Sequence, residues 1–157
     1  KKIKSTNRKK GKIFIVGNGG SISTANHISV DLTKNAKINT IQLYNSNLIT
    51  CYSNDYGYEN WISKTIEHYL NSKDLVIFLS VSGNSKNLVK AAQKCAKKKI
   101  STVALTGLSK KNKLNKITNT KYWVNSRSYN QVEAIHFIIL CMVVDKIVGR
   151  DNYGTNL

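Results

Sequence analysis

A doubly wound α/β sandwich, three layers deep around a five-stranded parallel sheet, is the fold this sequence predicts. Short apolar runs at 12–16, 41–44, 74–79, 102–105 and 121–124 alternate with segments of helical spacing. Continuous apolar runs suit strands covered on both faces, as parallel sheets are. Gly/Ser-rich turns follow the first and third runs, at the carboxyl ends where such sheets bind ligands.

Each element has its own warrant. The run Lys12-Ile13-Phe14-Ile15-Val16 stops at Gly17-Asn18-Gly19-Gly20-Ser21, and Ile22, Ala25, Ile28 and Leu32 then fall on one helical face. Residues 41–44 make a weaker second strand. Residues 46–70 read as helix, interrupted near Asn54-Asp55-Tyr56-Gly57. The strong buried strand 74–79 ends in Ser80-Val81-Ser82-Gly83-Asn84-Ser85, and Leu88, Val89, Ala92, Cys95 and Ala96 mark the helix after it. Residues 102–105 are the fourth strand, stopped by Thr106-Gly107, and 121–124 the last. A long helix from about 131 to 148 closes the chain, apolar nearly all round between Phe137 and Val144. Such a helix is buried on several sides, which in a small domain implies a partner subunit.

Composition narrows the class. The chain has 157 residues, which suits one domain, at 12–150, with a basic arm at 1–11 and a tail at 151–157. With 41% hydrophobic residues and 8 Tyr it is no disordered polycation. No apolar run approaches the roughly 20 residues of a membrane helix, and no signal peptide is visible. Cys51, Cys95 and Cys141 are widely spaced and odd in number, which fits reduced thiols in a cytoplasmic protein. The 25 Lys and Arg against 8 Asp and Glu leave a net charge of +17. Seven of the cations lie within the first twelve residues, and Lys97-Lys98-Lys99 is a second cluster. Arg, the usual reader of base edges, is scarce, so solvated basic faces are favoured over a nucleic-acid site. A basic surface also attracts small anions such as sugar phosphates.

The two turns carry the chemistry. Gly17 to Ser21 offers unobstructed backbone N–H groups at a helix start, a cradle for an anion or polyol. It is neither a Walker loop nor a dinucleotide fingerprint, since no Gly-Lys-Ser/Thr and no third spaced Gly follow. The second turn brings three hydroxyls, Ser80, Ser82 and Ser85, to another helix start. One of them, Ser85, also reads as a plain N-cap, but three exceed what capping needs. Hydroxyls, free amides and a helix dipole together suit a phosphate dianion held without Lys or Arg.

The two turns and Asn54-Asp55-Tyr56-Gly57 between them, in that order and spacing, resemble the sugar isomerase (SIS) domain, and within it the phosphoheptose isomerase family. The resemblance runs from about Lys12 to Ile147 and implies a flavodoxin-like fold. It also implies aldose–ketose isomerisation of a sugar phosphate, sedoheptulose 7-phosphate, through a cis-enediol. By resemblance, Asn18, Gly19, Gly20, Ser21, Asn54, Asp55, Ser80, Val81, Ser82 and Ser85 bind substrate, with Val81 standing where the family has Thr. His27, Asp31, Glu133 and Cys141 take the positions of a zinc set, with Asp for Glu, Glu for Gln and Cys for His. Asp31 and Glu133 become the acid–base pair, and the assembly a homo-oligomer, a tetramer. All four side chains are competent zinc ligands. They also have plain roles: His27 pairing with Asp31 on a helix face, Cys141 packed in the core, Glu133 favoured by a helix dipole, Asp55 in a turn. His136, one turn from Glu133, reads as packing or support. A family member can instead be a non-catalytic phosphosugar-binding module, regulatory or attached to a replication initiator.

Overall fold

In the computed structural model, which describes residues 1–149, helices and strands alternate as the apolar pattern demands. The order is α1 (Lys2–Arg8), β1 (Ile13–Val16), α2 (Gly20–Lys34), β2 (Thr40–Ile41), α3 (Ser46–Tyr56), α4 (Trp61–Tyr69), β3 (Leu75–Ser80), α5 (Lys86–Lys97), β4 (Ser101–Thr106), α6 (Lys113–Ile117), β5 (Thr120–Trp123) and α7 (Tyr129–Val148). Among the described residues one five-stranded sheet forms, all parallel, in the order β2-β1-β3-β4-β5. That is the doubly wound arrangement expected.

Strand pleating sorts the core onto two faces. Phe14, Val16, Val76 and Phe78 point into a cluster with Trp61, Ile62, Ile66, Leu88, Ala92 and Leu114, under α4, α5 and α6. Ile13, Ile15, Leu75, Ile77 and Leu79 point the other way, to Ala25, Ile28, Leu32, Leu140 and Val144 of α2 and α7. All of β1 and β3 is buried, which is why these strands read as unbroken apolar runs. Val16 pairs with Phe78, so the turns after β1 and β3 leave the sheet side by side.

Four expectations shift. Residues 2–8 form a docked helix inside the supposed basic arm: Ile3 is 9% exposed and joins the α2/α7 cluster. The helix carries a single apolar residue, Ile3, among Lys, Ser, Thr, Asn and Arg, too little to show a period. The second strand is only Thr40–Ile41, and Tyr44 lies beyond it. The polar stretch before the last strand hides α6, whose short apolar content, Leu114 and Ile117, is too little to show a period. Within one chain α7 buries a single stripe, Val132, His136, Leu140 and Val144, while Ile138 and Met142 are 55% and 63% exposed. The tail expected at 151–157 lies outside the described residues. No helix among the described residues is long and apolar enough to cross a membrane.

Docking of α1 gives a direct check. Ile3→Ala should lower unfolding stability by about 2 kcal/mol in a urea melt. A change under about 0.5 kcal/mol is what a free arm would give.

Candidate functional site

The turn after β1 is shaped by contacts only glycine permits. A Cβ on Gly17 would stand 2.5 Å from Ser21 Cβ and 3.1 Å from the Leu79 carbonyl oxygen. Gly19 has φ +54, a left-handed conformation that favours glycine. Tyr44 fastens the turn from the side. Its hydroxyl accepts from Gly17 N at 2.6 Å and donates to Gly17 O at 2.9 Å. Burial pushes the Tyr44 phenol well above its ordinary range, so it stays protonated and can serve both bonds.

The serine turn after β3 is braced from below. Ser80 Oγ accepts from Gly83 N at 3.1 Å, and Ser82 Oγ from Asn84 N at 3.2 Å. A hydroxyl that accepts from the backbone keeps its own O–H for a ligand. Ser85 is the N-cap of α5 by position but makes no side-chain cap bond, so capping does not account for it. Gly83 has φ +64, and a Cβ there would meet Asn112 Cγ at 2.2 Å. Asn112 belongs to a buried amide network. Its Nδ2 donates to Thr106 Oγ1 at 3.1 Å, its Oδ1 accepts from Asn115 N at 2.9 Å, and Thr106 Oγ1 donates to Asn115 Oδ1 at 3.0 Å. Asn84 Oδ1 accepts from Lys113 N at 3.1 Å, tying the turn to α6. The element missed in the sequence is thus what holds the serine turn.

The two turns enclose a cleft of about 100 Å³ lined by Asn18, Ser21, Ser80, Val81, Ser82, Ser85, Leu88, Tyr129 and Glu133, with Leu79 at its floor. Glu133 reaches it from α7. A Cβ on Gly20 would lie 2.7 Å from Glu133 Oε2, so the carboxylate rests against Gly20 at the head of α2. Asn18 and Ser85 also line an adjoining, more open cleft with Tyr58, Glu59, Lys86 and Asn87. The arrangement offers neutral hydroxyl donors and helix N-termini for an anion, with one carboxylate beside them.

Other expected site residues lie elsewhere. Asn54 and Asp55 sit exposed on the last turn of α3, where Asp55 accepts from Asn54 Nδ2 at 3.0 Å and from Cys51 Sγ at 3.6 Å; neither lines the cleft. The Cys51 hydrogen bond to Asp55 pushes that thiol upward. His27 Nε2 stands 3.2 Å from Asp31 Oδ2, and its ring meets Phe137 edge-on at 5.0 Å. Asp31 Oδ1 also accepts from Asn35 Nδ2 at 3.2 Å. From Gly20 to Asp31 is about 16 Å of helix, so the carboxylate expected to pair with Glu133 is not at the cleft. Burial, then Asp31 and Asp145, push the Cys141 thiol upward. Among the described residues no three of His, Cys, Asp and Glu gather closely enough to hold a metal ion. The set His27, Asp31, Glu133 and Cys141 does not fit zinc as placed: Glu133 turns up to Gly20, while His27 and Asp31 pair lower on α2.

Comparison with known proteins decides the family. A family model described as the SIS domain matches residues 1–107. This chain belongs to the SIS domain family. Phosphoheptose isomerases are its close relatives: the protein of Fusobacterium nucleatum is 32% identical over 150 residues, covering 90% of this chain and 77% of that one. The Helicobacter pylori phosphoheptose isomerase is 32% identical over 151 residues, covering 90% and 78%. The solved phosphoheptose isomerase of Francisella tularensis superposes with a TM-score of 0.87 at 25% identity, covering 95% and 82%.

Two residues of this SIS domain escaped sequence reasoning, Tyr44 and Asn87, while His136 packs as expected. Tyr44 and Asn87 carry no local signal, because their partners are 27 and 69 residues away. His136 is 2% exposed, and neither ring nitrogen has a hydrogen-bond partner. Burial pushes its pKa below the ordinary 6.5; the Thr106 backbone opposes this without meeting hydrogen-bond geometry. The fold therefore prefers neutral imidazole, and the unfolded chain binds more proton below pH 6.5. Stability from this group is complete above that pH and is lost as pH falls through it. Urea melts between pH about 7.5 and 5 should show stability falling, and His136→Gln should flatten part of that slope. An identical slope in the variant would place the pH dependence elsewhere.

Proposed function

We propose that this SIS domain is an aldose–ketose isomerase that interconverts sedoheptulose 7-phosphate and D-glycero-D-manno-heptose 7-phosphate. One observation carries the reading: a carboxylate, Glu133, shares a cleft with three serine side chains on the adjoining turn. Phosphate recognition alone needs no carboxylate and is opposed by one, so a purely binding module leaves Glu133 unexplained. The names of the relatives supply the sugar.

The phosphate is held by Ser80, Ser82 and Ser85 hydroxyls and the head of α5. The glycine turn offers the backbone N–H groups of residues 18–20 to the sugar chain, which is larger than the inner cleft and extends toward Asn18. Glu133 removes the proton from the carbon beside the carbonyl. The released electron pair becomes the double bond of a cis-enediol as the carbonyl oxygen gains a proton. The protonated Glu133 then returns its proton to the former carbonyl carbon on the same face, while the hydroxyl on the first carbon becomes the new carbonyl and gives up its proton through water, replacing the one the old carbonyl oxygen took. One carboxylate serves both transfers, since Asp31 does not line the cleft. The zinc expectation does not fit these residues, and no step depends on it.

Oligomerisation extends the proposal. The exposed apolar Ile138 and Met142 on α7 support a homo-oligomer, read as a tetramer. Such a chain has the make-up of a cytoplasmic enzyme, with Cys51, Cys95 and Cys141 all unpaired.

Incubation with sedoheptulose 7-phosphate should yield an aldose heptose phosphate, seen by NMR. Glu133→Gln should lower kcat by about 10²- to 10⁴-fold while phosphosugar binding persists. Asp31→Asn should cost less than about tenfold, as expected of a group held away from the reacting carbons; a loss equal to that of Glu133→Gln would restore the two-carboxylate mechanism. Sedimentation should show a species larger than the monomer, and a monomer throughout would remove the assembly from the proposal.

A further inference from the structure

Asn18 and Asn87 bridge the two ligand turns through a reciprocal amide pair. Asn18 Nδ2 donates to Asn87 Oδ1 at 3.0 Å, and Asn87 Nδ2 donates to Asn18 Oδ1 at 2.9 Å. Asn87 lies in the first turn of α5, two residues past Ser85, and is 2% exposed. Its Oδ1 also accepts from Leu88 N at 2.9 Å, which fixes the side chain to its own helix. The Tyr58 hydroxyl donates to Asn18 Oδ1 at 3.4 Å. Asn18 therefore has its carbonyl oxygen engaged twice and one N–H engaged once. Its side chain is committed to the bridge, and what the turn presents inward is chiefly backbone. With Tyr44 holding Gly17, the start of the glycine turn is fastened at two adjacent residues, Gly17 and Asn18.

We infer that Asn87 is a positioning residue that holds the glycine turn in register with the serine turn. A ligand that spans both turns then depends on this side chain, and one seated on the serine turn alone does not. The inference rests on the reading of the cleft as a phosphosugar seat. Its physical content is pre-organisation: without the bridge, substrate must order the glycine turn itself, and affinity falls by that amount.

The test titrates sedoheptulose 7-phosphate and inorganic phosphate, by calorimetry, against wild type, Asn87→Ala, Asn18→Ala and the double variant. Asn87→Ala should weaken sugar phosphate binding about tenfold, the effect of one buried hydrogen-bonded pair. Its affinity for inorganic phosphate should change less than about twofold. The double variant should bind the sugar phosphate no more weakly than the weaker single, because both remove one bridge. Asn18 lies on the half-buried turn, so Asn18→Ala is the probe that stands if Asn87→Ala fails to fold, and it should show the same discrimination. Equal losses for both ligands, additive losses, or no loss would each overturn the role. A wild type that binds neither ligand overturns the reading of the cleft together with the bridge. A wild type that binds both, with Asn87→Ala and Asn18→Ala indistinguishable from it, overturns the bridge alone.

Discussion

Parallel pairing of β1 with β3 is the constraint on which the site depends. Val16 opposes Phe78, so two strands far apart in sequence end at the same level of the sheet. The chain leaves β1 toward one face, into α2, and leaves β3 toward the other, into α5, which opens a crevice between the two turns. The helix starts that follow both turn their N-termini toward this crevice, and the cleft residues come from these turns and from α7. A register slip of one residue would turn Ile13 and Ile15 to the face now filled by Phe14 and Val16, and would break both apolar clusters at once. The geometry of the cleft is thus protected by the burial of β1 and β3.

What holds the turns is amide and hydroxyl chemistry, not charge. Asn112, Asn115 and Thr106 form a buried network beneath the serine turn, and each is under 7% exposed. Neutral partners suit this place. A buried Lys or Arg would bring its own desolvation cost and would compete for the Ser oxygens. Buried amides with complete hydrogen bonding rigidify without either cost. The glycines answer the same need from the other side. Gly83 lies so close to Asn112, and Gly20 to Glu133, that any side chain would push the network or the carboxylate away.

The legible parts of this molecule are those encoded by local pattern. Strands β1, β3 and β4 announced themselves because both their faces are buried, and the two turns because glycine and serine recur there for backbone and donor reasons. The last helix could be bounded within about two residues from its apolar run. Residues whose role depends on distant partners were not legible. Asn87 looks like an ordinary helix-start polar residue until Asn18 is seen opposite it. Tyr44 reads as a strand residue, yet its value lies in reaching Gly17. The resemblance was informative about the turns and less so about the helices: His27 and Asp31 do pair, but Glu133 faces Gly20 rather than them. Spacing on two separate helices cannot say how far each side chain reaches along the groove between them.

Charge then explains how a neutral seat can attract a dianion. Asp and Glu number 8 against 25 Lys and Arg, and ion pairs such as Lys90–Glu59 and Lys94–Glu67 use few of the cations. The excess acts at long range, raising the local concentration of anions without placing a cation against the Ser hydroxyls. Inside the cleft the balance reverses, because a bound phosphate and Glu133 carry like charges. The surface cations thus stand apart from a hydroxyl-lined interior, so long-range attraction and close contact are supplied by different groups.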